Sequence, residues 1–121
     1  MRHDDIAVSL LLALDRHDEL ALAAIIHPDV RMVVDSGDQT GGDLRGRTQV
    51  GRALQELTAA HPDAALETVN VNGGPGLALR RGGGEVVGVL GIDLDGAAIG
   101  QVWLCTAPGK LGSWNPGPRL P

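Results

Sequence analysis

The residue types that most often carry catalysis or bind metals are sparse in this sequence of 121 residues. The four histidines all fall at predicted helix ends: His3, His17, His27 and His61. A histidine at the carboxyl end of a helix is favoured by the helix dipole, and no two of these have the spacing of metal ligands, so no metal site is expected. Cys105 has no neighbouring histidine or lysine to activate it, and we expect a buried structural thiol.

A glycine-rich stretch at residues 41–48 (GGDLRGRT) resembles a phosphate-binding loop, because it follows a predicted strand and opens a predicted helix. Arg47 stands where such a loop has its phosphate-binding lysine. The second half of the chain also predicts an antiparallel meander without the crossover helices of a nucleotide-binding sheet. The sequence therefore does not favour a nucleotide hydrolase.

Helical signals are confined to the first half of the chain. Apolar residues recur at helical spacing in residues 3–16 and in residues 48–60. Between them, Asp18 is a plausible N-cap for a second helix, which Pro28 is expected to end. Residues 30–34 then predict a strand that ends in the turn-rich segment Asp35-Ser36-Gly37-Asp38.

Strand patterns dominate the second half. Residues 66–72 and 77–81 predict two strands, and residues 86–90 and 99–105 predict the arms of a hairpin around Asp95-Gly96, a strong turn signal. Within this region, Asp93 alternates with two apolar neighbours and is expected to be a solvated or interface carboxylate. Helices followed by a run of antiparallel strands indicate an α+β fold.

Composition narrows the possible partners. The net charge is −5, Phe and Tyr are absent, and there are only two Trp residues to stack on bases, so a nucleic-acid surface is not expected. No apolar run reaches the roughly 20 residues of a membrane span. The single cysteine and the acidic N-terminus, which does not read as a signal peptide, favour a cytoplasmic protein. We expect one domain over residues 1–111 and a Pro/Gly-rich tail over residues 112–121, extended or mobile, lying across the domain.

Several local strings resemble the nuclear transport factor 2-like superfamily, and within it the SnoaL-like branch. The nearest likeness is to the SnoaL-like C-terminal domain of some extracytoplasmic-function sigma factors. That domain has strings close to residues 71–77 (VNGGPGL), 86–90 (VVGVL) and 107–111 (APGKL), and Asp35 matches the first residue of its Asp-Gly-Gly-Gly-Lys turn. Arg45-Gly46 likewise matches the Arg-Gly that starts the third helix in many members. The resemblance implies a cone in which three helices pack on a curved, mainly antiparallel sheet around an apolar pocket.

The resemblance also implies where a site would lie. Enzymes of this fold place carboxylates or histidines inside the pocket, where burial raises a carboxyl pKa toward neutrality. The last-strand aspartate of the polyketide cyclases and epoxide hydrolases corresponds here to Leu104, or to Trp103 if the register shifts by one, and neither can transfer a proton. The Arg-x-Asp string of the epoxide hydrolases has its nearest match at Arg80, without the acid. Asp35 is the remaining catalytic candidate, although an aspartate in such a turn also caps backbone N–H groups.

The candidate substrate-binding residues lie on the predicted strands: Asn70, Arg80, Val102, Trp103 and Leu104. Trp103 would line the pocket if it faced inward and would suit a dimer interface if it faced outward. No cofactor is expected. The partners we expect are a hydrophobic small molecule and a second copy of the chain, as is common in this fold, with no membrane or nucleic acid.

Two functions remain open. The first is a cofactor-independent enzyme, of cyclase, isomerase or hydrolase type, that acts on a hydrophobic metabolite. The second is a non-catalytic ligand-binding or regulatory module resembling the sigma-factor domain. The missing last-strand carboxylate favours the second, whereas the absence of sigma-factor DNA-binding regions before Met1 favours the first, to which the sequence leans slightly.

Overall fold

A computed structural model describes residues 3–38 and 41–114. Its three α-helices lie in the first half of the chain: α1 His3–Asp15, α2 Glu19–Ile25 and α3 Arg47–Ala60. Six strands form one sheet: β1 Ile26–Asp35, β2 Gly42–Arg45, β3 Ala64–Val71, β4 Gly74–Arg81, β5 Val86–Asp95 and β6 Ala98–Cys105. A 3-10 helix follows at Lys110–Ser113. The predicted α+β class is confirmed.

The sheet has the strand order β2-β1-β6-β5-β4-β3. Each neighbouring pair is antiparallel except β1 and β6, which run parallel with Met32 opposite Val102 and Asp35 opposite Cys105. The predicted hairpin is confirmed, because Asp95 pairs with Ala98 across a turn in which Gly96 has a φ of 64°. Strands β3 to β6 thus form the expected meander, and β1 joins it at the side of the last strand.

Local signals explain the helix boundaries. Asp18 caps α2 as predicted, since its Oδ1 accepts a hydrogen bond of 3.0 Å from the backbone N–H of Ala21. Helix α3 begins after Gly46, whose φ of 88° lies in the region that glycine adopts without strain. The predicted helix after Arg45-Gly46 is confirmed.

The prediction that Pro28 ends the second helix is wrong. Helix α2 already ends at Ile25, and His27-Pro28 lies inside β1. A strand admits proline where its ladder is interrupted, and the pairing of β1 with β6 shifts register between Ile26 and Arg31. Strand β2 was not predicted. It lies inside the stretch that resembles a phosphate-binding loop and pairs with Arg31 to Val34 of β1.

The helices cover one face of the sheet, and the main hydrophobic core lies between the helices and that face. We call these buried residues the inner core. Its members on the sheet include Met32, Leu77, Leu90, Val102 and Leu104, each at most 5% exposed. Helices α1 and α3 contribute residues such as Leu10 and Leu54, both fully buried. Among the described residues that line this space, no polar or charged side chain is buried.

The opposite face of the sheet, which we call the outer face, carries a second and smaller cluster. This outer cluster consists of the buried residues Ala78, Val86, Val89, Cys105, Ala107 and Leu111. Leu111 belongs to the 3-10 helix, so that helix covers part of the outer face. Trp103 and Trp114 pack at the margin of the cluster and are half-buried. Cys105 is a free, buried cysteine, as expected.

Candidate functional site

Asp35 lies at the end of β1, next to the 3-10 helix that follows β6. Its side chain is 23% exposed and forms an ion pair with Lys110 through Oδ2. Its other carboxylate oxygen, Oδ1, accepts a hydrogen bond of 3.2 Å from the backbone N–H of Gly37. The backbone carbonyl of Asp35 also accepts a hydrogen bond of 2.9 Å from the N–H of Thr106. Asp35 therefore ties the end of β1 to the segment that follows β6.

The charge state of Asp35 follows from these contacts. The hydrogen bond from Lys110 lowers the pKa of the Asp35 carboxyl, and the N–H of Gly37 acts in the same direction. The same hydrogen bond raises the pKa of the Lys110 ammonium group. A general acid or base that works near neutral pH needs a carboxyl pKa raised by burial, which is the opposite shift. The Asp35 carboxylate is therefore paired with Lys110 and caps its own turn, and its pKa is shifted away from the value that proton transfer near neutral pH needs.

The three candidates on β6 do not share a face. Val102 and Leu104 belong to the inner core and are 0% and 5% exposed. Trp103 lies between them in sequence and therefore points to the outer face, because successive side chains of a strand alternate. There it passes over β5, where a Cβ built on Gly91 would lie 3.8 Å from Trp103 Cε3.

Arg80 is engaged in surface contacts. Its Nε and Nη2 donate hydrogen bonds of 3.0 and 2.7 Å to Oε1 of Glu67, and Nη1 donates one of 2.8 Å to the carbonyl of Gly84. Glu67 pairs in register with Ala78 of the outer cluster, so this ion pair lies on the outer face. The guanidinium group holds the turn between β4 and β5 against β3.

Asn70 caps the hairpin between β3 and β4. Its Oδ1 accepts a hydrogen bond of 2.9 Å from the backbone N–H of Gly73. The turn itself contains Asn72 and Gly73, with φ values of 51° and 84°. Asn70 also borders a cavity of about 240 Å³ between this hairpin and Ala7 and Val8 of α1.

The six predicted site residues therefore fall into three groups. Val102 and Leu104 are part of the inner core, and Asn70 lies at the hairpin beside α1. Trp103, Arg80 and Asp35 lie on the outer face. The structure brings Asp35 together with Lys110, a residue that sequence reasoning did not select. Both stand in strings that carry the sigma-factor resemblance, and this was the available signal.

A larger cavity lies away from all six residues. A groove of about 470 Å³ runs between α2 and α3, and its lining includes Leu22, Ile26, Arg47, Gly51 and Arg52. Arg47 belongs to the stretch that resembles a phosphate-binding loop, whereas the other positions are ordinary residues on the flanks of two helices.

Titratable groups elsewhere are dispersed. His27 Nε2 lies 3.6 Å from Asp95 Oδ2, and His27 Nδ1 accepts a hydrogen bond of 3.0 Å from the N–H of Asp29. Within residues 3–38 and 41–114, no cluster of three or more histidine, cysteine or acidic side chains has the arrangement to hold a metal ion. In the same two ranges, no helix has the length and apolar character needed to cross a membrane.

Comparisons with known proteins define the fold. No protein family model matches the chain, and no curated protein matches it. Among solved structures, the chain is similar to the extracytoplasmic-function sigma factor SigJ of Mycobacterium tuberculosis, with a TM-score of 0.71 and 20% identity over 94% of this chain. The match covers 45% of SigJ, so the chain corresponds to less than half of that protein.

Two further solved structures match over most of their own length. A SnoaL-like protein of unknown function from Burkholderia thailandensis gives a TM-score of 0.60 at 18% identity, with 83% of this chain and 89% of that chain covered. A candidate ketosteroid isomerase from Kribbella flavida gives a TM-score of 0.63 at 21% identity, with 98% of this chain and 90% of that chain covered. The predicted resemblance to SnoaL-like and nuclear transport factor 2-like proteins is thus confirmed at the level of the fold.

Proposed function

We propose that this chain, which has the SnoaL-like fold, is a non-catalytic regulatory module that associates as a homodimer through the outer face of its sheet. The observation that carries the proposal is the division of the sheet between two uses. Its helix-covered face buries apolar side chains, whereas the aromatic and charged candidates Trp103, Arg80 and Asp35 lie on the outer face.

The open part of the outer face has the character of an interface. Trp103 is half-buried and is joined there by the partly buried Val69 and Val71. Aromatic residues are enriched in protein interfaces, where their large surface is buried at low entropic cost. The 3-10 helix covers the neighbouring outer cluster, and within the described ranges 3–38 and 41–114 Trp103 remains only half-buried.

A regulatory role is also consistent with the likeness to part of SigJ, a sigma factor. In this role the module would act through the proteins it contacts. We place it in the reducing environment of the cytoplasm, for which the free thiol of Cys105 is suited.

The dimer is tested by light scattering coupled to size-exclusion chromatography over a range of concentrations. The wild-type chain is expected to elute at twice its mass of 12.5 kDa, and Trp103→Glu at the monomer mass, because the new carboxylate would lose its hydration in the interface. Leu20→Glu is the matched control. It changes an 86% exposed residue on α2, outside the sheet, and should leave the dimer intact. A wild-type monomer at every concentration, or equal dissociation by both variants, would contradict the proposal.

A small-molecule enzyme is the second candidate, and the likeness to a candidate ketosteroid isomerase favours it. In that case Asp35 would be the acid or base, and a hydrophobic metabolite would enter between the helices and the sheet. Two features give the enzyme less support. The ion pair with Lys110 lowers the pKa of Asp35, and the inner core has only apolar side chains among its described residues. Native mass spectrometry of the protein purified from its own source would identify a retained metabolite. Conversion of that metabolite by the wild type but not by Asp35→Asn would favour the enzyme.

A further inference from the structure

The groove between α2 and α3 is built by two facing helical stripes. On α2 and its end, Glu19, Leu22, Ala23 and Ile26 recur at intervals of three or four residues and so share one face. On α3, the facing stripe consists of Arg47, Thr48, Gly51, Arg52 and Gln55. On the opposite side of α3, Val50 and Leu54 pack in the inner core. The side of α3 that lines the groove therefore faces away from the inner core.

The floor of the groove is apolar, and Gly51 adds no side chain to it. A Cβ built at position 51 would lie 3.6 Å from Leu22 Cδ2, which is ordinary contact distance, so the groove has room for at least one more carbon atom at this point. Leu22 and Ile26 are 3% and 1% exposed and close the bottom. The volume of about 470 Å³ lies within the range of small-molecule sites.

One wall of the groove is cationic. The guanidinium group of Arg47 donates hydrogen bonds of 3.0 and 2.9 Å from Nε and Nη2 to the carbonyl of Ile26, which fixes its plane at the end of α2. The Arg52 side chain makes no hydrogen bond or ion pair with the described part of the chain, 3–38 and 41–114. Against these two arginines the groove lining has one carboxylate, Glu19. The excess of positive charge favours an anion.

We infer that this groove binds a small monocarboxylate with an apolar body. Arg52 meets the carboxylate, for which the planar guanidinium fork is suited, and Arg47 holds the neighbouring wall in place. The apolar body lies on Leu22 and Ala23 above Gly51. The site is distinct from the outer face of the sheet, so the inference goes beyond the proposed homodimer and does not depend on it.

The probe is sodium octanoate, which joins a carboxylate to an apolar chain, titrated into ¹⁵N-labelled protein and followed by amide shifts. Saturable shifts are expected for the groove residues Ala23, Gly51 and Arg52, with a Kd of about 1 mM or lower. Octan-1-ol has the same chain length without the charge and is expected to bind about tenfold more weakly, because the charge-assisted hydrogen bond is lost.

The matched variants are Arg52→Gln and Arg16→Gln. Each removes one exposed arginine that ends in solvent, but Arg16 follows α1 and does not line the groove. Octanoate affinity should fall about tenfold in Arg52→Gln and stay unchanged in Arg16→Gln. Two results would overturn the inference directly: an equal loss of octanoate affinity in both variants, or equal binding of octanol and octanoate. Amide shifts that depend on protein concentration alone would also overturn it, because they would assign the groove to a second copy of the chain.

Discussion

The inner and outer faces of the sheet are made by the same strands but differ in how they are covered. The inner face lies under three helices and forms a continuous apolar core that includes Leu90 and Val102. Among residues 3–38 and 41–114, only the short 3-10 helix packs on the outer face, where Val89 and Leu111 are buried and Trp103 is half-exposed. Neighbouring residues of one strand, such as Val89 and Leu90, thus enter cores of very different size.

The comparison indicates that the two faces serve different purposes. The inner core supplies most of the apolar burial and therefore most of the stability of the fold. The outer face contains the contacts that conditions could alter. A partner could cover Trp103, and a change of pH or a movement of the 3-10 helix could break the ion pair of Asp35 with Lys110. A test of this division compares equivalent changes on the two faces.

The largest effect is expected from truncating leucines. Leu90→Ala should lower the free energy of unfolding by about 3 to 4 kcal/mol, because the inner core is enclosed on all sides and cannot collapse into the space. Leu111→Ala makes the same chemical change at a residue only 4% exposed, but in the 3-10 helix, which can move toward the sheet. Its expected cost is about 2 kcal/mol, the low end for a buried leucine. Urea unfolding measures both values, and equal losses would contradict the division between the faces.

The next effect concerns close backbone approach on the outer face. A Cβ at Gly76 would lie 2.3 Å from the carbonyl oxygen of Leu90 and 2.5 Å from Cγ2 of Val71, so Gly76→Ala must displace backbone and should cost about 2 to 3 kcal/mol. Gly74→Ala is the control in the same strand, since its Cβ would meet only the Val71 carbonyl at 3.7 Å. The control should change stability by about 0.5 kcal/mol or less. Thermal unfolding of the two variants provides the comparison, and similar melting temperatures would show that β4 shifts to admit the methyl group.

The smallest effect is the pH dependence of the Asp35 and Lys110 pair. The pKa of Asp35 is lowered in the folded state, so the pair contributes stability above the ordinary carboxyl pKa of about 4 and loses that contribution as pH falls through the lowered value. The wild type should therefore be more stable than Asp35→Asn at neutral pH, and the difference should shrink below about pH 4. Asp93→Asn, which changes an exposed carboxylate on β5, is the control. Urea unfolding at several pH values measures the difference, and a gap that stays constant down to pH 2 would contradict the assignment.

Elements with a strong local signal could be predicted from the sequence. The Asp95-Gly96 hairpin, the Asp18 cap and the helix after Gly46 each depend on residues near one another in the chain. The start of β1 at Ile26 and the existence of β2 could not be predicted in this way. The first depends on pairing with β6, more than 70 residues later, and the second on pairing with β1 of a segment whose glycines suggested a loop.

The candidate site was less predictable than the fold. The match to the family's last-strand aspartate predicted Leu104 or Trp103 as a pocket residue. One residue of register decides which face a side chain occupies, and Trp103 faces outward. The partner of Asp35 was equally hidden, since Lys110 lies 75 residues away in sequence. Apart from Arg47 and Thr48, which end the glycine-rich stretch at residues 41–48, the groove residues carry no motif, because a cavity between helices depends on how the helices pack.

The parallel pairing of β1 with β6 also has a consequence for how the chain folds during synthesis. Strand β1 has only β2 beside it until β6 has been made, so α1 to α3 leave the ribosome before most of the sheet that covers their apolar sides exists. Long-range pairing of this kind slows folding and exposes unpaired edges in the interval. The nascent chain therefore exposes the apolar faces of its helices between the completion of α3 and the emergence of Cys105.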